Sequence, residues 1–571
     1  MDETTIAYVF LASAAVFFLH KLFIRLRLSG AKHPSVRGHA KWSRRLARLV
    51  AYYEFDEQHY FSSDGAPQEV ASKREAGLNR LRTLARAKNP KTLAFSESLQ
   101  GSISDASFTS AYRVPFPYRA RLGNELKLGN IAEETRGVQI RDLDGNWRYD
   151  VTGSYGVNVF GYDFYKECIA QGQQLAGELG PVLGAYHPLI RDNVERIKAL
   201  SGLDEVSFHM SGTEAVMQAV RLARYHTGKT HLVRLCGAYH GWWDGVQPGI
   251  GNQRQVNDVY TLRDLSERTL KVLATRKDIA CVLINPLQAL HPNADAAGDA
   301  SLVSSKRSAH FDRPAYTQWL QRIREVCSDR GIVLIFDEVF TGFRLAYRGA
   351  QEYFGVQADM VTYGKTLGGG LPVGVLCGRH DQMKRYRDDQ PANVSFARGT
   401  FNSHPYVMAS MNVFLRRIQQ PEYQNLYAQA NTLWDARAAG LNQRLQAAGL
   451  PVQVANLHTI WTVLYRTPSR YNWMLQFYLR DAGLELSWVG SGRMIMSFNF
   501  SDEDFEEVAS RFIAAASRMA EDGWWWQSQT LTDQSIQKLL LMETLLARFP
   551  LLARLKFKAG TSAGDLVEEA R

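Results

Sequence analysis

IVLIFDEVFTGFR, residues 332–344, is an apolar run that closes on an acid before the chain turns polar. ADMVTYGKTLGGGLPVG (358–374) repeats the pattern, a mainly apolar run closing on a lysine and a glycine-rich turn. Short runs of this kind, bounded by turn residues, suit strands buried on both faces of a parallel sheet. Working outward, EVSFHM (205–210), HLVRLCG (231–237) and IACVLIN (279–285) are three more. Helical periodicity separates them, as in AVMQAVRLARYH after Glu214 and YTQWLQRIREVCSDRG before Ile332. The alternation predicts an α/β domain with a mostly parallel central sheet sandwiched by helices. From residue 421 the order changes to a long helix (Pro421 to Ala447), a strand around Val452 to Tyr465 and a helix capped at Ser501. That order predicts a smaller α+β domain.

Composition agrees with a folded chain: of 571 residues, 45% are apolar and 22% charged, which excludes a mainly disordered or polytopic membrane protein. The five cysteines lie far apart without a CxxC pair, so neither a disulfide framework nor a zinc site is indicated. Seven of the ten net positive charges fall within residues 1–50, where nine Lys/Arg face only Asp2 and Glu3. With no basic stripe elsewhere, nucleic acid is not an expected partner. Thr5 to Ile24 is long enough to cross a bilayer as a helix, although His20 and Lys21 interrupt its apolar run. Acids precede it and Lys21, Arg25, Arg27 and Lys32 follow, the reverse of a cleaved signal peptide. It is read as a single-pass transmembrane helix in contact with membrane lipid, the catalytic body lying in the cytoplasm. KWSRRLARLVAYY (41–53) reads either as an amphipathic helix on anionic lipid or as a helix packed on the body. Trp524, Trp525 and Trp526 with the leucine-rich tail are open to the same two readings, or to a dimer contact.

The chemistry concentrates where strands end. Asp337 and Lys365 both follow buried runs, and the carboxyl ends of parallel strands line the ligand crevice of an open sheet. An acid and a lysine placed there suit pyridoxal 5′-phosphate (PLP), which needs a lysine for its carbonyl carbon and a carboxylate for its pyridine nitrogen. Alone, each is equally an ordinary turn or solvated residue. SGTEA (211–215) joins a strand to a helix and offers backbone N–H groups at a helix N-terminus to a phosphate, with the hydroxyls of Ser211 and Thr213 beside them. Simple N-capping would also satisfy that sequence. Tyr239 follows the next strand and can stack on an aromatic cofactor, and Val339 returns to the face that Asp337 occupies. TGKT (227–230) and GKT (364–366) lack the earlier glycine of a phosphate-binding P-loop, and neither His240 nor HPNAD near His291 forms a metal array.

Taken in order, DLDGNWRYD (142–150), SGTEA, YHG, FDEVFTGFR (336–344), YGKTLGGGLPVG (363–374) and GTFNSHP (399–405) resemble the class III aminotransferases of PLP fold type I. The nearest likeness is to the glutamate-1-semialdehyde aminomutase subgroup, and it covers roughly residues 110–520. The resemblance implies that Lys365 binds PLP covalently, that Asp337 faces the pyridine nitrogen, and that Ser211, Gly212, Thr213, Tyr239, His240 and Val339 surround the cofactor. It implies a homodimer with shared sites, because Thr400 matches a threonine that reaches the neighbouring subunit's phosphate. Arg344 and Asn285 are its candidates for contact with substrate. Where the family usually has Glu-Pro, this chain has Asn285-Pro286 followed by Gln288, so neutral amides stand in for a carboxylate. The implied layout is a transmembrane helix (1–24), a basic juxtamembrane region (25–110), the first part of the small domain (111–175), a large PLP domain (176–405), the rest of the small domain (406–520) and a Trp/Leu-rich tail (521–571).

The expected activity is amino transfer from an amino donor to a carbonyl acceptor. A membrane location suggests a long-chain aldehyde, an oxo-lipid or a carrier-bound acyl group as acceptor. Aminomutase chemistry, decarboxylating acyl transfer to a sphingoid-like product, and an inactive membrane scaffold are the alternatives. The presence of both Lys365 and Asp337 weighs against the scaffold.

Overall fold

The structure, a computed structural model, describes residues 3–549 apart from 34–38, 107, 109–113, 127–130, 248, 287–304, 306–311 and 487–491. Gln288, His291 and the tail beyond residue 549 therefore lie outside the described residues.

Seven strands form the central sheet: β4 (Glu205–His209), β5 (His231–Leu235), β6 (Val259–Leu262), β7 (Ile279–Ile284), β8 (Val333–Asp337), β9 (Met360–Gly364) and β10 (Gly374–Gly378). Their spatial order is β4-β10-β9-β8-β7-β5-β6. The pairs from β9 to β6 are parallel, while β10 runs antiparallel to both β4 and β9. The sheet is thus mixed, and β6 and β10 are two strands that the sequence reading did not predict. GVLCG is only five residues long with a glycine at each end, and VYTL is four, so neither carries a pattern that separates strand from turn. The three consecutive strands β7, β8 and β9 are buried along their whole lengths, as the absence of polar alternation in their sequences requires.

The remaining sheets, in the region expected to form a smaller domain, draw on two separate stretches of the chain. β1 (Glu134–Arg136), β2 (Gln139–Arg141) and β3 (Trp147–Asp150) form an antiparallel meander, and β13 (Leu484–Glu485) adds to β3 in parallel. β11 (Val452–Leu457), β12 (Ile460–Tyr465) and β14 (Arg493–Ile495) make a third sheet. The single strand expected over 452–465 is a hairpin, because His458 takes a left-handed φ of 55° and Leu457 pairs with Ile460 across a two-residue turn. The long helix runs Pro421–Ala447 as expected. The last helix of this region, Asp502–Glu521, begins with a capping box in which Ser501 and Asp504 satisfy each other's backbone N–H groups.

At the amino end one helix runs Glu3–Ala31, longer than the predicted span, with no proline until Pro34. Ala7–Ala31 is long and apolar enough to cross a membrane. Its last turn is docked on the body: Ala31 is fully buried, its carbonyl accepts the Arg263 N–H at 3.0 Å, and the Gly30 carbonyl accepts from Arg268 at 3.2 Å. The following region is a helical layer, chiefly Gln68–Lys88, packed on the carboxyl-terminal segment. There Arg74 and Asp64, both with no side-chain exposure, pair at 2.7 Å, while the guanidinium lies over Tyr471 and donates to the Gly523 carbonyl. Trp524 and Trp525 are buried in this core, donating to Tyr478 and Asn472 respectively, so these two indoles face protein and not lipid.

His458 illustrates a cost of this packing. Its ring is buried without a partner for either nitrogen, and burial, with Arg344 and Arg313 nearby, brings its pKa down to about 3 from 6.5. Between these values the unfolded chain binds a proton that the folded chain refuses, so stability falls as pH drops through the window, by up to about 1.4 kcal/mol per pH unit. His458→Asn, which keeps a residue tolerant of the left-handed turn, should reduce the loss between roughly pH 7 and pH 5 measured by urea unfolding. Parallel pH profiles for the two proteins would count against it.

Candidate active site

Asp337 is the last residue of β8 and is almost fully buried. A carboxylate there requires hydrogen-bond donors. His240 supplies one, its Nδ1 lying 2.7 Å from Oδ2, and the Val339 N–H donates to Oδ1 at 3.1 Å. Burial lowers the His240 pKa more than the Asp337 charge raises it, and its Nε2 is buried without a partner.

Lys365 follows β9 with a left-handed φ of 45°. Its Nζ lies 5.8 Å from the centre of the Phe340 ring. Burial depresses its pKa, with Asp337 opposing and Arg344 assisting that shift, so more of the amine is neutral than on a solvated lysine. Ser154, Tyr155 and Phe343 are also non-glycine residues at positive φ. Such backbone is unfavourable for residues with a Cβ and persists where surrounding contacts fix it. Phe340 and the Gly153–Gly156 turn were missed in the sequence reading. The small-residue signature GSYG, immediately after DLDGNWRYDVT, was the available signal.

The phosphate-loop candidate stands on the first turn of the helix Gly212–Thr227, where N–H groups lack intrahelical acceptors. Ser211 caps it, accepting the Glu214 N–H at 3.3 Å, while Glu214 accepts the Met210 N–H at 2.8 Å. The capping reading and the anion reading are therefore compatible, since Gly212 and Thr213 remain in the same turn. A Cβ on Gly212 would lie 2.5 Å from Val339 Cγ1, and one on Gly241 would lie 2.5 Å from Thr213 Oγ1. These contacts bring Gly212, Thr213, Val339, Asp337 and His240 into one cluster at the strand ends, with Lys365 beside it.

Other expected residues stand apart. Tyr239 is 60% exposed, with its carbonyl accepting from Asn285 at 3.3 Å. Asn285 thus supports the Tyr239 backbone from a buried position. Arg344 is fully buried and donates to Thr459 Oγ1 and to the carbonyls of Met496, Asn158 and Gly156 at 2.7–3.3 Å. Four acceptors take up the guanidinium, which ties the segment after β8 to the chain around residues 156–158, 459 and 496. Thr400 is exposed, in the turn before the helix Pro405–Arg417, and is not drawn into this chain's own cluster. Among the described residues no group of His, Cys, Asp and Glu could hold a metal ion.

The sequence profile described as Aminotransferase class-III matches residues 123–516. The chain is a class III aminotransferase. A glutamate-1-semialdehyde 2,1-aminomutase of Citrifermentans bemidjiense is 30% identical over 423 residues, covering 68% of this chain and 90% of that protein. One from Desulfotalea psychrophila is 34% identical over 352 residues, covering 58% and 75%. Among solved structures, a transaminase with PLP bound matches with a TM-score of 0.61 and 25% identity, covering 76% of this chain and 99% of that one. A glutamate-1-semialdehyde aminomutase of Pseudomonas aeruginosa PAO1 shares the fold, with a TM-score of 0.62 over 79% of this chain and 99% of that one, at 18% identity. This class III aminotransferase is accordingly a PLP-dependent enzyme of fold type I.

The residues present fit that cofactor: a depressed lysine, a buried carboxylate and a glycine whose place a Cβ would fill surround the same strand ends. Gly212→Ala should force its new methyl against Val339 and weaken PLP retention by roughly tenfold or more, about 1–3 kcal/mol of overpacking. Val339→Ala in the same chain should restore part of that loss, measured as cofactor retained through dialysis. Equal retention by all three proteins would contradict the close approach.

Proposed function

We propose that this class III aminotransferase is anchored in a membrane by its amino-terminal helix and moves an amino group from an amino donor to an amphiphilic carbonyl acceptor. The observation that carries the catalytic part is the buried, depressed amine of Lys365 beside the Asp337–His240 pair. The location is supported by the apolar helix Ala7–Ala31, no part of whose membrane-length window is buried against protein.

When bound, PLP supplies an electron sink that acidifies the C–H bond next to a substrate nitrogen. Lys365 would hold the cofactor covalently, and its neutral amine would take the proton from the substrate carbon and return it in the reverse half of the transfer. Depression of its pKa below the usual 10.5 suits that work near neutral pH. Asp337, oriented by His240, would face the pyridine nitrogen. The first turn at Gly212 and Thr213, with Ser211 as cap, receives the phosphate. Tyr239, exposed in the single chain, offers a face to the ring. Thr400 serves the site of a second copy, consistent with a family that is typically homodimeric.

Isomerisation within one substrate is the second reading, favoured by curated relatives named as aminomutases. Long-chain amines and amino acids offered to the detergent-purified holoenzyme should leave the amino group on the cofactor, to be released only when a carbonyl acceptor is added. Nitrogen migration within a single substrate would select the aminomutase instead.

Lys365→Ala should fold, retain PLP without covalent attachment, and lose at least about 10²- to 10⁴-fold in turnover. Borohydride treatment followed by mass analysis of the peptide reads the attachment directly. A cofactor fixed elsewhere, or normal turnover, would remove Lys365 from this role.

A further inference from the structure

Between Glu3 and Glu54 the sequence has no acidic residue but nine Lys/Arg. Within this stretch lies the helix Ala40–Ala47, separated from the amino-terminal helix by eight residues. One side of the helix faces protein: Ser43 is buried, and Arg44 donates to the carbonyls of Asn252 and Arg254, both at 3.2 Å. The other side is apolar yet uncovered. Trp42 and Leu46 on the helix, with Leu49 and Val50 just after it, are 59%, 44%, 53% and 47% exposed, and the Arg45 guanidinium lies 5.3 Å over the Trp42 ring.

An apolar face whose own stretch of chain carries cations and no acids is the pattern of an interfacial helix on anionic lipid. A second feature joins it. Tyr53 donates to Glu543 at 2.8 Å, and Glu543 also pairs with Arg470, which fixes the helix Asp533–Arg548 beside the end of the basic stretch. That helix presents Leu541 and Leu545, followed by Phe549 just past its end, at 61%, 46% and 49% exposure. The docking of Gly30 and Ala31 on the body leaves no free tether between the apolar helix and the rest of the fold.

We propose that residues 40–50 form a second, monotopic membrane contact that docks the body on an anionic bilayer surface. The proposal rests on the anchor reading above and adds an orientation to it. Arg44 holds the loop that runs on from Tyr239 and His240, and Trp242 and Ile250 in that loop are 74% and 67% exposed. Docking therefore brings the segment carrying Tyr239 toward lipid, where an amphiphilic amine or carbonyl compound partitions. Lys41, Arg45 and Arg48 supply the attraction to anionic headgroups, and Trp42 and Leu46 the insertion.

All five native cysteines are buried, so one introduced cysteine can be labelled selectively. The full-length holoenzyme carrying Leu46→Cys with a polarity-sensitive fluorophore would be reconstituted in phosphatidylcholine bilayers with and without phosphatidylserine. A separate Phe17→Cys protein reports on the anchor, and retained PLP confirms folding of each. The expected result is a blue shift at position 46 that requires phosphatidylserine and is reversed by salt. With each basic residue near an anionic leaflet contributing about fivefold, Arg45→Gln with Arg48→Gln should cut the docked-to-free ratio roughly 25-fold. A position-46 label that reads water in both lipids while the position-17 label reads lipid would overturn the docking and leave the anchor standing. Water at both positions would overturn the anchor and the docking together. A shift that depends on protein concentration in detergent would assign the face to a second copy and overturn the lipid assignment.

Discussion

A guanidinium cannot be taken out of water without acceptors for its N–H groups, and Arg344 shows how much structure that requirement can organise. It follows β8 by seven residues, yet its partners come from Gly156 and Asn158, from Thr459 in the β11–β12 turn and from Met496 after β14. One side chain thus joins the segment after β8 to two stretches of chain some 300 residues apart. Burial draws its pKa down to about 10, still far enough above neutrality for the charge to persist. Gly156, whose carbonyl Arg344 holds, also approaches Phe340 and Lys365 closely enough that a Cβ there would collide with the ring. The same cation adds to the depression of Lys365, so it acts electrostatically on the amine.

Strain and burial are concentrated in the same neighbourhood. Lys365, Phe343, Ser154 and Tyr155 all hold positive φ, and the Asp337–His240 pair is withdrawn from solvent. These arrangements are unfavourable taken singly and are retained because the sheet and the Arg344 contacts allow no local relaxation. Glu338, next to Asp337, points the other way: its carboxylate accepts from the N–H groups of Ala350 and Gln351 at the start of the helix Gly349–Phe354. Adjacent acids thereby divide their work, one facing the cleft and one fixing the helix behind it.

Much of this was legible in the residues themselves. The buried parallel strands announce themselves as apolar runs, and Asp337 and Lys365 stand where those runs stop. The helix over 421–447 and the cap at Ser501 follow from local rules that tertiary packing does not overturn. What escaped depended on pairing at a distance. β10 is recognisable only because β4 and β9 accept it from either side, and the hairpin at 452–465 needs a histidine to enter the left-handed region. Arg344 and Asn285 look the same in sequence whether they meet a ligand or a backbone carbonyl. The tryptophans at 524 and 525 have the composition of a membrane rim and the surroundings of a core, a distinction carried by Arg74 and Asp64 some 450 residues earlier.

The parallel pairing of β3 with β13 has a consequence in time. Arg148 of β3 meets Glu485 of β13 across 337 residues of chain. At a synthesis rate of about 5–20 residues per second, that interval lasts roughly 20–70 s. Throughout it the meander β1–β3 presents an unpaired edge, since the strand that covers it has not left the ribosome. The sheet of β1–β3 is therefore completed late in synthesis, and until then its exposed edge is a part of the nascent chain in need of protection from other strands.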